Sequence, residues 1–313
     1  MIANRFRESY RSRAGHPLVL AHRGDSYRGP ENTLEAASLG HEAGADGWEL
    51  DVRLTRDGVP VVLHDESLAR TTDVALAFAG DPRAARGFLV GDFDWDEVRS
   101  LDAGSWFLDP DGGPRSAAGF GSLDRVDRAA RDHFRSGHVR VPGLVEALEW
   151  TARLDWIVNV EIKPVGDGGG PSPIAATLGA IRATATEDRV AVSSFDLAVV
   201  AEVGRLEPGV AIGALIDGTP GRPVIEFLFE LGGDALHISV EGFDRLRDGA
   251  SSPRLGDHRP TAPVLVYTVN VVASPGLADR LAVAGVSGLF TDDPTSLRAR
   301  DNFNRSAKHT RSH

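Results

Sequence analysis

Short apolar runs alternate with longer helix-like segments along this chain, and few architectures accommodate that rhythm. The runs PLVLAH (17 to 22), GWELDV (47 to 52), VPVVLH (59 to 64), WIVNVEI (156 to 162), RVAVSSF (189 to 195), VAIGALI (210 to 216), ALHIS (235 to 239), PVLVYTVN (263 to 270) and SGLFT (287 to 291) read as strands. Helix-like segments lie between most of them, at 33 to 44, 143 to 154, 173 to 186, 196 to 206, 222 to 231 and 274 to 284. Strands separated by helices are parallel strands joined by crossovers. Roughly eight such units without a break in composition favour a closed (β/α)8 barrel of the TIM type over an open doubly wound sheet. No Gly-x-Gly-x-x-Gly turn opens a helix after a strand, so a dinucleotide fold has no positive support.

One region interrupts the rhythm. Residues 66 to 142 are too many for an ordinary connection and predict an inserted loop or small subdomain after the second unit, over one end of a single barrel domain of roughly 15 to 300. A lid, a specificity element and a merely decorative insertion all fit. The polar, basic tail 301 to 313 reads as a flexible terminus.

Composition narrows the functional classes. The 313 residues are 42% hydrophobic, enough for a large core, and carry a formal net charge of -11. Such a surface repels nucleic acid and anionic membranes, so any phosphate chemistry must sit in a locally basic or metal-neutralised pocket. With no cysteine, disulfides, zinc-thiolate sites and cysteine nucleophiles are excluded. No apolar run approaches the ~20 residues of a membrane helix, and the first residues lack a signal-peptide core. The expectation is a cytoplasmic protein without nucleic-acid partners or stable membrane association.

The chemistry concentrates at predicted strand ends. In Trp48-Glu49-Leu50-Asp51-Val52, Glu49 and Asp51 share one face of a strand. Acids in a barrel strand carry a desolvation cost that a cation would relieve, whereas on an edge strand they would simply be exposed. Glu161 and Lys163 repeat the spacing, and alone they are most simply an ion pair. Together with Glu49 and Asp51, however, Glu161 makes a third carboxylate at one rim, where repulsion favours a shared divalent ion. Oxygen ligands point to Mg²⁺, Ca²⁺ or Mn²⁺ rather than zinc.

His22 and His64 end the runs LVLAH and VPVVLH. A lone strand-end histidine is usually structural, but two beside an acidic cluster suit general acid and base catalysis. Arg23 would hold an anion such as a phosphate, with Lys163 adding charge. Asn32, with Glu35 three positions on, reads as the N-cap of helix 33 to 44. That reading leaves Glu31 unexplained.

The motifs HRG (22 to 24), PENT (30 to 33), ELDV (49 to 52), TRDGVPVVLHD (55 to 65), LDAGSWF (101 to 107), VPGLVEAL (141 to 148), VEIKP (160 to 164), SSFD (193 to 196), YTVN (267 to 270) and GLFTDDP (288 to 294) follow one another in order. The set resembles the glycerophosphodiester phosphodiesterase family across nearly the whole chain. The resemblance implies a TIM-type barrel hydrolysing a small glycerophosphodiester to glycerol 3-phosphate and an alcohol. It further implies one divalent cation on Glu49, Asp51 and Glu161, acid and base roles for His22 and His64, and phosphate contacts from Arg23 and Lys163. Tyr267 stands where the family commonly has Trp, Asp293 where TDRP is usual, and Gly143 where Thr often occurs. Tyr267 could reshape the pocket wall on the glycerol or alcohol side, and residues 110 to 138 match no motif. Two other functions fit such a site: a lysophospholipase D or sphingomyelinase D-like activity, and a non-catalytic barrel that binds a phosphate ligand.

Overall fold

A computed structural model describes residues 3–12, 17–109, 123–164, 172–218, 224, 232–248, 262–270 and 274–299. Among the described residues nine strands form one sheet: β1 (Leu18–His22), β2 (Gly47–Leu54), β3 (Pro60–Val62), β4 (Ile157–Ile162), β5 (Val190–Ser194), β6 (Ala211–Ile216), β7 (Ala235–Ser239), β8 (Val264–Tyr267) and β9 (Gly288–Thr291). All except β3 are parallel to their neighbours, and pairing of β1 with both β2 and β9 closes the eight into a TIM-type barrel.

The run at 59 to 64 behaves differently from the expectation. Only Pro60–Val62 is strand, and it pairs antiparallel with β2, outside the barrel. The physical reason is length: Thr55–Gly58 can form a turn but not a helical crossover. His64 therefore lies in a loop beyond β3, not at the end of a barrel strand.

The helices are α1 (Arg5–Ser12), α2 (Leu34–Glu42), α3 (Arg128–Phe134), α4 (Leu144–Arg153), α5 (Pro173–Thr184), α6 (Leu197–Leu206), α7 (Val240–Asp248) and α8 (Leu277–Val283), besides shorter helical turns. Sequence periodicity indicates α2, α4, α5, α6 and α8 but none of α1, α3 and α7. The expected helix at 222 to 231, apart from Val224, and the tail 301 to 313 lie outside the described residues.

Strand alternation divides the barrel core in two. Trp48, Leu50 and Val52 of β2 join Val158, Val160 and Ile162 of β4 and helix residues such as Leu144, Leu148 and Leu178 in the large outer cluster. The opposite faces supply Leu18, Leu20, Ile157, Ala191, Ala211, Ala235, Leu265 and Phe290 to an inner cluster joined by Phe6 of α1. The inner layer interleaves large and small residues because eight converging strands leave little room. Gly213 illustrates the limit: a Cβ there would meet the His237 ring at 2.7 Å.

Between β3 and α4, residues such as Leu68, Phe93, Leu101, Phe107 and Phe134 form a third apolar cluster with Val61 and Leu63. Arg125 links this segment to the barrel by donating to Asp293 at 3.1 Å, and its guanidinium lies 5.3 Å from the Tyr27 ring centroid.

Candidate active site

Register brings the site together. His22 of β1 pairs with Glu49 of β2, which pairs with Asn159 of β4; one step toward the C-terminal rim, Asp51 pairs with Glu161. Side chains on alternate positions share a face, so Glu49, Asp51, Asn159 and Glu161 converge inside the mouth. Ligand atoms of Glu49, Asp51 and Glu161 all lie within 4.8 Å of one another, and these residues are only 3%, 0% and 7% exposed.

Both expected cations reach this cluster. Lys163 Nζ lies 2.5 Å from Glu161 and 2.8 Å from Asp51. Arg23 Nε lies 3.2 Å from Asp51, its Nη1 donates to Glu31 at 2.9 Å, and its backbone N–H donates to Glu49 at 3.0 Å. The turn that aims Arg23 needs Gly24: its φ is +83°, and a Cβ there would lie 2.4 Å from the Ala36 carbonyl carbon.

Asn32 is not the helix cap. Thr33 caps α2, accepting from the Ala36 N–H at 3.2 Å, while its hydroxyl donates to Pro30 O. Asn32 sits at φ 59°, a conformation asparagine tolerates better than most residues, and this turns its side chain inward. Its Nδ2 donates to Asp51 at 2.8 Å, and its Oδ1 accepts from the Asp51 N–H at 3.2 Å. Glu35 meets His133 instead, at 3.1 Å.

The histidines are held alike. His22 Nδ1 lies 2.6 Å from Asp292, and His64 Nδ1 lies 2.7 Å from Asp65. A carboxylate only accepts, so each Nδ1 carries the proton and each Nε2 is left for exchange. Asp292 is itself fixed by Asn270 Nδ2 at 2.5 Å and Ser26 Oγ at 3.1 Å. Burial and Arg23 push the His22 pKa down, but Asp292 and Glu49 outweigh them and the net shift is upward. For His64 burial wins over Asp65, and the shift is downward.

The carboxylates show the strain of crowding. Burial raises Glu49, with the Asp51 charge adding, to about 8. Burial opposes ionisation of Asp51 too, but Arg23 and Lys163 hold it far below the usual range. Glu49 Oε1 is buried without a hydrogen-bond partner, as is Asn159 Oδ1, whose amide Nδ2 donates to Ser193. A carboxylate-only cluster with an unpartnered oxygen has the donor chemistry of a hard divalent cation site, and these residues fit one.

A cavity of about 200 Å³ opens onto these groups. His22, Arg23, Glu49, His64, Glu161 and Lys163 line it together with Phe195, Leu215, Tyr267 and Phe290. Tyr267 directs its hydroxyl away from the acids, to Ile216 O and Asp217 Oδ1, both at 2.7 Å. Sequence reasoning assigned no role to Asp65, Arg70, Asn159, Asn270 or Asp292. Asn159 carried a usable signal, standing two positions before Glu161 on the same strand face, and Asp65 adjoins His64.

A closed parallel barrel with acids and histidines at its C-terminal rim is the arrangement of a TIM-barrel enzyme. Residues 22–296 match the sequence profile of the glycerophosphoryl diester phosphodiesterase family. A glycerophosphodiester phosphodiesterase of Caldanaerobacter subterraneus is 32% identical over 280 residues, covering 90% of this chain and 96% of the relative. Among solved structures, an Oleispira antarctica phosphodiesterase in complex with the product sn-glycerol-3-phosphate superposes with TM-score 0.65 at 26% identity, over 91% of this chain and 97% of that one. A Silicibacter pomeroyi protein described as a glycerophosphoryl diester phosphodiesterase superposes with TM-score 0.68 at 26% identity, over 94% and 96%. The chain belongs to this family and is an enzyme of the glycerophosphodiester phosphodiesterase class.

Proposed function

We propose that the protein hydrolyses small glycerophosphodiesters to sn-glycerol 3-phosphate and an alcohol by metal-dependent acid–base catalysis. The observation that carries this reading is the buried Glu49–Asp51–Glu161 cluster, set among two histidines, Arg23 and Lys163 around one cavity. Glu49, Asp51 and Glu161 would hold one divalent cation, Mg²⁺, Ca²⁺ or Mn²⁺, which when bound supplies positive charge to a phosphoryl oxygen. Arg23 and Lys163 add fixed charge beside the phosphate. His22 and His64, each with Nδ1–H committed to a carboxylate, present Nε2 for proton transfer. One takes the proton of the nucleophile, either water or the neighbouring glycerol hydroxyl, and the other protonates the departing alcohol oxygen as its bond to phosphorus breaks; attack by the hydroxyl leaves a cyclic phosphate that water then opens to glycerol 3-phosphate. The walls that include Phe195 and Tyr267 would face the glycerol or alcohol part of the substrate.

The test is release of glycerol 3-phosphate from glycerophosphocholine and glycerophosphoethanolamine by chelator-stripped protein, before and after addition of each cation. Metal-restored turnover that His22→Ala lowers by about 100-fold or more agrees with loss of a general acid or base. Turnover indifferent to chelator, or retained by His22→Ala, overturns the mechanism.

A further inference from the structure

Arg70 lies outside the cavity but sits at the junction of two of its walls. It is on the loop beyond β3, with a side chain 22% exposed. Its Nη1 and Nη2 grip both oxygens of Glu31 at 2.7 Å each. On its other side, Nε and Nη2 reach the two oxygens of Asp65 at 2.5 and 3.0 Å. Each carboxylate then hands on to a group in the cavity: Glu31 accepts from Arg23, and Asp65 accepts from His64 Nδ1.

The result is a continuous chain, Arg23–Glu31–Arg70–Asp65–His64, joining the cation beside the acidic cluster to one of the two histidines. A guanidinium has five N–H donors in a rigid fork, and four of these, spread over its three nitrogens, are taken up by the bonds to Glu31 and Asp65. The fork spans two carboxylates at once, which a lysine ammonium cannot do with the same fixed geometry.

We propose that Arg70 is a positioning residue for the phosphodiester reaction, holding Arg23 through Glu31 and the imidazole of His64 through Asp65. This rests on the function proposed above. Without Arg70, Glu31 has Arg23 as its only cationic partner among the described residues and draws that guanidinium toward itself. Asp65 loses the two bonds that aim it at Nδ1, so the His64 ring is free to adopt the other tautomer and to turn.

The test compares wild type with Arg70→Ala and Arg70→Lys in the metal-loaded enzyme. Loss of a group that orients a functional residue commonly costs about 10–100-fold in activity. A loss of that size in kcat is expected for both variants, with a smaller change in KM and partial rescue of Arg70→Ala by millimolar guanidinium. Histidine-selective ¹⁵N spectra, with His64 assigned through His64→Gln, should show one Nδ1–H tautomer in wild type and a mixture in the variants. The proposal is overturned if the folded variants keep kcat within about threefold, or keep the single tautomer. If Arg70→Ala does not fold, Arg70→Lys decides by the same two readouts. Absence of turnover in wild type would sink the proposed function instead, while the tautomer measurement would still judge Arg70.

Discussion

Replacing Asn32 separates two roles that the same residue could play. As a helix cap it would be interchangeable with serine, a strong N-cap residue. As the clasp on Asp51 it would not, because serine cannot supply both the amide donor and the carbonyl acceptor seen at 2.8 and 3.2 Å. The bond to the Asp51 carboxylate is of the charged kind, about 1.5–3 kcal/mol, and the bond from its backbone N–H is of the neutral kind, about 1 kcal/mol. Asn32→Gly keeps the positive φ, so it should cost about 2–4 kcal/mol. Asn32→Ala adds about 1–2 kcal/mol for a side chain forced into the left-handed region. Asn32→Ser should suffer similarly.

Urea unfolding of the three variants, compared at constant m, reads these differences directly. Calorimetric titration with Ca²⁺ or Mn²⁺ provides the second readout. Asp51 then keeps Arg23 and Lys163 but loses its amide partner, and affinity for the cation should fall by about 10–100-fold in Asn32→Gly. The reasoning fails if Asn32→Ser matches wild type, or if Asn32→Gly retains both stability and cation affinity. Equal stability of the Gly and Ala variants would refute the contribution of the backbone conformation alone.

Three other outcomes follow from the geometry. Burial raises buried Asp25 from 3.8 to about 6 despite its bonds to Arg28, so the folded state holds a proton that the unfolded state has released. Its contribution therefore weakens stability as pH rises from about 4 to 6, by on the order of 3 kcal/mol; Asp25→Asn should flatten that slope in unfolding measured across the window. Trp48 is fully buried on the outer barrel face, donating from Nε1 to Thr151 Oγ1 at 2.9 Å, so Trp48→Phe should cost about 2–4 kcal/mol in urea unfolding and leave kcat within about threefold. Finally, glycerol 3-phosphate should bind chelator-stripped protein at least about tenfold more weakly than cation-loaded protein, and equal dissociation constants by calorimetry would refute that coupling.

What the sequence made legible was whatever depends on neighbours along the chain. Interior barrel strands are buried on both faces and read as continuous apolar runs, which placed all eight to within three residues of their ends. The same run cannot tell parallel from antiparallel, and 59 to 64 pairs antiparallel because the five residues between β2 and β3 leave no room for a crossover. Glu49 with Asp51, and Glu161 with Lys163, were visible as same-face pairs. Helix α7 follows β7 with no intervening turn signal. Groups held by long-range bonds had no local mark: Asp292 meets His22 across 270 positions, and Arg70 meets Glu31 across 39. Asn32 carried a misleading mark, since an asparagine three positions before a glutamate looks like a cap whichever way its side chain turns.

The charges at the mouth explain why a barrel would tolerate so much buried acid. Glu31, Glu49, Asp51, Asp65, Glu161 and Asp292 stand against the fixed cations Arg23, Arg70 and Lys163. Six carboxylates against three cations leave an excess of acid that desolvation makes expensive and that would repel a phosphodiester. Protonation relieves part of it, which is the meaning of the raised Glu49. A divalent cation relieves more, and unlike a proton it leaves positive charge facing the cavity. On the proposed function the excess is useful: the arrangement is poor for an anion alone and would favour an anion after a cation, which would make affinity for the diester conditional on the cation. Arg70 belongs to the same design, because its single charge is shared between Glu31 and Asp65, offsetting part of their charge while those two carboxylates orient Arg23 and His64.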